Sequence, residues 1–555
     1  MKSGATTTLW ADTSSVPTYK PLAADARADV CVIGAGIAGI TTAYLLAKSG
    51  KSVIVLDDNA IGGGETGRTT AHLSYALDDR YYVLERIHGE QGARLAAESH
   101  MAAVNRIEQI VKLEDIDCDF TRLDGYLFPS VYGDPSEIDK EYAAARRAGL
   151  SDIERIDRAP IANFTAGPAI RFPNQGQFHI LKYLAGLAKA AEAAGVKIHT
   201  GEGMHVDSIE DAKDGKPCKV GTKAKRSVTC DSVCVCTNAS IAEMVGVHAK
   251  QAPYRTYVVS FRIPRGSVPQ GLYWDTADPY HYVRTQPLDE EQGPSKGKTL
   301  YDALIVGGED HKTGQADDMA ERYRCLEAWT RERFPMVEEV THRWSGQVVE
   351  PSDMLAYIGR AHGKQYVYEI TGDSGHGMTH ATLGAILPQN EPNRPRRGRQ
   401  PEKEQGCEPA YVHGRTAGGR ESTSAPGPGE RARGTAARAR AALDGRAQPL
   451  PGGGAGRRDA GRLRRGDGGG RARTVLRSGH LSLPVFLCAD EPLHRQVVFL
   501  AGRRSSPGHR RRPVRVLAAV HPRRAGARRR GRGRDRGRRG SQGGVVARTD
   551  RLPAD

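Results

Sequence analysis

Val30-Cys31-Val32-Ile33-Gly34-Ala35-Gly36-Ile37-Ala38-Gly39 is the stretch whose reading decides the fold. Its first four residues, led in by Ala28 and Asp29, form a short apolar run of strand-forming type. Ile40 to Lys48 then carries apolar residues at helical spacing, and Gly50 is placed to end that helix. A second apolar run, Val53-Ile54-Val55-Leu56, closes on Asp57. Strand, glycine turn, helix, strand and acid follow in the order a βαβ dinucleotide-binding unit requires. In such a unit Gly34 permits the tight turn, Gly36 lets the backbone approach a pyrophosphate, and Gly39 lets helix and strand pack closely. Ile37 and Ala38 open the helix, whose free N–H groups and positive dipole end favour phosphate. Asp57, with Asp58 beside it, lies 23 residues after Gly34 and suits a ribose 2′-hydroxyl. The same acid argues against a 2′-phosphate, and so against NADP.

Outward from that unit, composition divides the chain in two. Its 555 residues suffice for two or three packed domains. The formal charge is +16, but residues 388–555 hold 39 basic and 14 acidic side chains, against 42 and 51 in residues 1–387. The basic character therefore belongs to the tail. That tail has 38 arginines, one lysine (Lys403) and no tryptophan, and only Val485-Phe486-Leu487 and Val497-Val498-Phe499-Leu500 resemble core segments. It reads either as a disordered Arg/Gly-rich arm, with RNA as a partner only if the arm is genuine, or as out-of-frame translation of GC-rich DNA. The near absence of lysine favours the second.

Other classes drop out. No apolar run of about 18 residues spans a membrane, and Met1 to Lys20 lacks the apolar region of a secretory signal. Nine cysteines are too few for a disulfide scaffold, and a reduced cytoplasmic setting is expected. No Cys/His cluster has zinc spacing, and no GxSxG elbow or P-loop is present, so no metal is expected.

Directly after the acid comes a second glycine-rich stretch, Ile61-Gly62-Gly63-Gly64-Glu65-Thr66-Gly67-Arg68-Thr69-Thr70. Its hydroxyls and arginine suit a long cofactor that extends past the first turn, FAD rather than NAD. Here the chain resembles the D-amino-acid oxidase superfamily of FAD-dependent oxidoreductases, whose members carry a GG-x-SGR-like segment at this point. The resemblance continues through Phe172 to Leu187, a helix re-entering the FAD domain, and through Val206, matching a valine whose backbone meets adenine. Val233 to Ala239, with Thr237 and Asn238, is similar to the strand that closes the nucleotide half. Gly372 to His380, with Gly375, His376, Gly377, Met378 and Thr379, resembles a late glycine segment opening a helix toward the flavin. Cys118 to Phe128, Tyr273 to Thr276, Gly307 to His311 and Arg343 to Gln347 resemble a subgroup fused to a C-terminal Rieske [2Fe–2S] domain. The tail offers only Cys407 and Cys488, neither followed two residues later by histidine, so it cannot hold that cluster.

The resemblance implies an α/β fold: a Rossmann-like FAD domain, built from 26–90, 170–250 and 340–387, with an inserted α+β substrate domain at 91–169 and 251–339. It also implies oxidation of a C–N bond of an amine or amino acid, by hydride transfer to flavin N5. Electrons would pass to oxygen or to an electron-carrier protein, including an external iron–sulfur carrier; the alternative is a degenerate FAD-binding protein with an RNA-binding tail. Arg284 ends an aromatic strand and is the expected anchor for a substrate carboxylate. Tyr257, Tyr282 and Trp344 are expected pocket walls. His72 follows the second glycine segment at a spacing where some relatives attach flavin covalently, although a neutral, hydrogen-bonded histidine is the plainer reading.

Overall fold

The computed structural model describes residues 6–131, 133–164, 166–242, 246–288 and 300–387, with two short strands, Val485–Leu487 and Val497–Phe499, paired antiparallel. Both expectations for the rest of the 388–555 tail lie outside the described residues.

The opening unit forms as its pattern requires: β1 (Val30–Ile33), α1 (Ile37–Lys48) and β2 (Val53–Asp57). All four residues of β1 are buried, which is why its sequence is a continuous apolar run rather than an alternation. Helix α1 buries residues all round, Tyr44, Leu45 and Leu46 among them, because it is covered on several sides. Gly50, with φ +86°, takes the left-handed position just past the helix end.

The remaining main elements are α2 (Tyr81–Leu113), β3 (Thr121–Phe128), β4 (Ala169–Gln177), α3 (Ile180–Ala193), β5 (Lys197–Thr200), β6 (Ser232–Asn238), β7 (Gln251–Pro264), β8 (Leu272–Asp275), β9 (Tyr282–Pro287), β10 (Tyr301–Lys312), α4 (Met319–Arg333), β11 (Val340–Pro351), β12 (Tyr357–Arg360), β13 (Val367–Thr371) and α5 (Gly377–Ile386). Six strands make the first sheet, in the order β12-β13-β6-β1-β2-β5, parallel except for β12 against β13. One face packs α1, α3 and α5 in a common apolar cluster. The other packs a four-stranded sheet, where Val206, Val220 and Val228 meet Ile33, Leu56 and Val235.

The second large sheet runs β11-β7-β10-β9-β8-β3-β4 and ends on the short strand His72–Leu73, with Glu154–Ile156 also paired to β4. It is mostly antiparallel, with β8 and β3 parallel. Strands β4 and β11, which stand at the start of the expected FAD-domain segments 170–250 and 340–387, pair with β3 and β7 in the second sheet. His72–Leu73 joins the same sheet, so the second glycine segment leads from one sheet into the other.

Candidate active site

The first glycine turn is fixed by close approach. Gly34 sits at φ +107°, and a Cβ there would stand 2.4 Å from the Cys236 carbonyl oxygen at the end of β6. A Cβ on Gly39 would lie 1.8 Å from the Gly34 oxygen, so only glycine lets α1 approach the turn. Gly36 is the N-cap of α1 and provides no side-chain cap, while Ile37 N donates to Thr66 Oγ1 at 3.2 Å. The second glycine segment is thereby tied to the first. Asp57 accepts from Ala35 N at 2.6 Å and from Asn59 N at 2.8 Å. Burial pushes its carboxyl above the usual range despite those bonds. Asp58 pairs with His205 Nδ1 at 2.7 Å.

Glu65–Arg68 forms a 3-10 turn, and its carbonyls and those that follow are held from outside. Trp344 Nε1 donates to Arg68 O at 2.8 Å, and Trp10 Nε1 to Thr69 O at 2.6 Å. Arg284 Nη1 lies 3.1 Å from each of the Thr70, Ala71 and Phe178 oxygens, and Nη2 donates to Gln286 Oε1. Arg284 is fully buried, under the ring of Trp10, and burial lowers its pKa to about 9. Its fork is committed to main chain, so it is not placed to grip a substrate carboxylate. Tyr257 is likewise off the cleft: buried in the core of the second sheet, its hydroxyl meets His311 Nε2 at 2.8 Å. Trp344 is a wall of the loop rather than of the pocket. Trp344→Phe should cost about 1 kcal/mol, by leaving the part-buried Arg68 carbonyl without its donor. Thermal melts should show the loss, with FAD affinity falling alongside; an unchanged melt would contradict this role.

A single cleft of about 340 Å³ gathers most of the expected residues. Gly34, Gly36, Ile37 and Ala38 line it with Asp57 and Asp58. So do Gly64, Thr66, Arg68, Thr69, Thr70 and His72 from the second segment, Thr237 and Asn238 from the end of β6, and Gly375, His376, Gly377 and Met378 at the start of α5. Five expected cofactor-binding residues are not on its wall. Gly39 and Gly67 serve close packing, a Cβ on Gly67 standing 2.5 Å from Gly62 O, and Gly63 lies against Ala60 O. Val206 is buried in the four-stranded sheet, and Thr379 turns to His100 Nδ1 at 2.8 Å. Behind it the His100 and His380 Nε2 atoms are 3.2 Å apart, and burial holds both histidines neutral, His380 down to about 3.

His72 bonds Thr70 Oγ1 through Nδ1 at 3.0 Å; burial, aided by Arg284, lowers its pKa to about 3. Its Nε2 is buried without a partner, as are Asn238 Oδ1 and Asp373 Oδ1, and all three residues line the cleft. Unpaired polar atoms inside a glycine-walled cleft fit a cofactor as long and as rich in hydrogen-bonding groups as FAD. Sequence reasoning missed further wall residues: Ser74, Asp78, Thr256, Trp274, Tyr280 and Asp310 are among those that join the expected Tyr282. Among the described residues no group of three or more His, Cys, Asp or Glu side chains is placed to hold a metal ion. None of the helices there is long and apolar enough to cross a membrane.

Residues 29–388 match the family profile of the FAD dependent oxidoreductases, DAO. The chain belongs to that family. It is 28% identical over 383 residues to YhfW of Bacillus subtilis (strain 168), provisionally named a Rieske 2Fe-2S iron-sulfur protein, covering 68% of this chain and 71% of that one. It is 24% identical to gamma-glutamylputrescine oxidoreductase of Escherichia coli (strain K12), covering 65% and 82%. Among solved structures, glycine oxidase from Geobacillus kaustophilus aligns at TM-score 0.52 and 18% identity, over 65% of this chain and 94% of that one. The chain is thus an FAD-dependent oxidoreductase with the α/β fold of that family, and FAD is its cofactor.

Proposed function

We propose that this oxidoreductase oxidises the C–N bond of an amine or amino acid, with FAD held along the cleft. One observation carries the reading: both glycine segments and the aromatic wall of the second sheet line the same cleft. The name of the Escherichia coli relative supports an amine substrate. The Gly34–Gly39 turn and the start of α1 would hold the diphosphate, Asp57 the ribose, and the 64–72 segment and the start of α5 the remainder. Bound there, FAD would supply the two-electron acceptor for oxidation at the carbon that bears the nitrogen. The protein's share is orientation and exclusion of water, from Trp274, Tyr280 and Tyr282. Anaerobic mixing with a panel of amines and amino acids should bleach the flavin spectrum with at least one of them. A flavin that no member of the panel reduces would overturn the reaction class.

Electrons leaving to a protein carrier are a second reading, supported by the iron–sulfur name of the Bacillus relative. Turnover should then be faster with an artificial one-electron acceptor than with oxygen, and the reverse order would favour an oxidase. We place the enzyme in the cytoplasm, in keeping with its buried, unpaired cysteines, Cys31 and Cys234 among them.

A further inference from the structure

The cleft wall contributed by the second sheet has a chemistry of its own. Tyr280 and Tyr282 lie with ring centroids 5.5 Å apart, and His72 lies 5.8 Å from Tyr282 and 6.0 Å from Trp274. Two carboxylates face this aromatic group. Asp78 accepts from Tyr280 Oη at 2.7 Å and lies 3.5 Å from His376 Nε2. Burial raises the Asp78 pKa, but His376 and Tyr280 outweigh it, so the carboxyl stays ionised. Asp310 stands at the end of β10 beside Thr256, which bonds Tyr282 Oη at 2.6 Å, and its Oδ1 is buried with no partner. The Tyr282 ring lies so close to β10 that only glycine fits at 307, where a Cβ would fall 2.1 Å from it.

Opposing positive charge is scarce. Among the described residues that line the cleft, Arg68 is the one arginine and there is no lysine. Arg68 belongs to the glycine segment and donates to Ser345 O at 3.3 Å. His72 is neutral, and His376, its pKa raised against its burial by Asp78, Asp79 and Glu350, is already committed to the Asp78 carboxylate 3.5 Å away. Arg284, the expected carboxylate anchor, is spent on main-chain oxygens. A substrate carboxylate would enter a low-dielectric pocket beside Asp78, where His376 is already paired, with no uncommitted cation to meet it, a costly burial. A cation would meet aromatic faces and an unpaired carboxylate oxygen, the arrangement that binds ammonium groups.

We propose that this pocket selects a cationic amine with no carboxylate near the ammonium, Asp310 and Asp78 supplying the charge and Trp274, Tyr280 and Tyr282 the cage. The inference rests on the amine oxidoreductase reading and narrows its substrate class. Asp310 has a second part to play. Burial pushes its pKa up to about 7 against the Thr256 bond. Passing the ammonium proton to its free oxygen, N–H breaking as O–H forms, leaves the amine neutral with its electron pair available.

Two probes that differ by a carboxylate test this on the full FAD-loaded chain: tetramethylammonium and trimethylglycine. Calorimetry should give tetramethylammonium at least tenfold the affinity of trimethylglycine. Asp310→Asn should lower tetramethylammonium affinity at least tenfold, and Tyr280→Leu several-fold, with the flavin spectrum retained. Equal or tighter binding of trimethylglycine would overturn the proposal, as would wild-type affinity in Asp310→Asn. Should that variant fail to fold, the comparison on the wild-type chain decides alone. A chain that takes up no FAD before any probe is added would strike the FAD reading instead, so the two failures are distinguishable.

Discussion

Gly36→Val should yield a folded protein that does not turn yellow. Gly36 has φ −79°, which any residue adopts, so the backbone tolerates valine. The side chain is what cannot fit: its Cβ alone would stand 2.8 Å from Thr66 Oγ1, the atom that accepts from Ile37 N. Valine therefore fills the space in which the first-turn N–H groups of α1 meet phosphate, and pushes the second glycine segment away. A loss of FAD affinity of at least ~100-fold is expected, equivalent to about 2.7 kcal/mol. Circular dichroism should report an unchanged fold, and the flavin absorbance of the loaded protein should vanish. A Gly36→Val protein that binds FAD as the wild type does would place the cofactor elsewhere.

Arg284→Met separates two roles for the same residue. As a carboxylate anchor, Arg284 could be lost with little effect on folding and a large effect on substrate affinity. As the structure places it, its removal leaves the buried carbonyls of Thr70, Ala71 and Phe178 without donors. Each buried unpaired group costs about 1–3 kcal/mol, and three of them lose their donor at once. The melting temperature of Arg284→Met should fall sharply with and without FAD, and the loop carrying His72 should loosen. Arg284→Lys should rescue little, since an ammonium cannot reproduce the fork. A stable, FAD-replete Arg284→Met protein with only a raised KM would restore the anchor role.

These outcomes show where sequence is informative and where it is not. The strand, glycine turn, helix and acid were legible because each depends on neighbours within about thirty residues: Gly34, Gly39 and Asp57 all act inside one βαβ unit. Arg284, Tyr257 and Trp344 were misjudged because their partners are remote, and because one or two positions along a strand decide the environment. Tyr282 lines the cleft, and Arg284, two residues further on the same face of β9, is already under the Thr70–Ala71 backbone. Thr256 faces the cleft while Tyr257, one residue on, faces the opposite core. Trp344 is buried and Gly346 reaches the cleft wall, a difference that no local pattern records. Asp78 and Asp310 come together only when the second glycine segment crosses into the second sheet, a pairing of segments more than two hundred residues apart. Acidic residues near turns carry no mark that they will be buried.

The central claim is that the paired glycine segments hold FAD, and the cofactor content of the wild-type protein tests it most directly. Purified full-length chain, incubated with excess FAD, desalted and denatured, should release about one FAD per polypeptide, or retain it if His72 is covalently attached. A well-folded chain that carries no flavin by either route would contradict the account at its base.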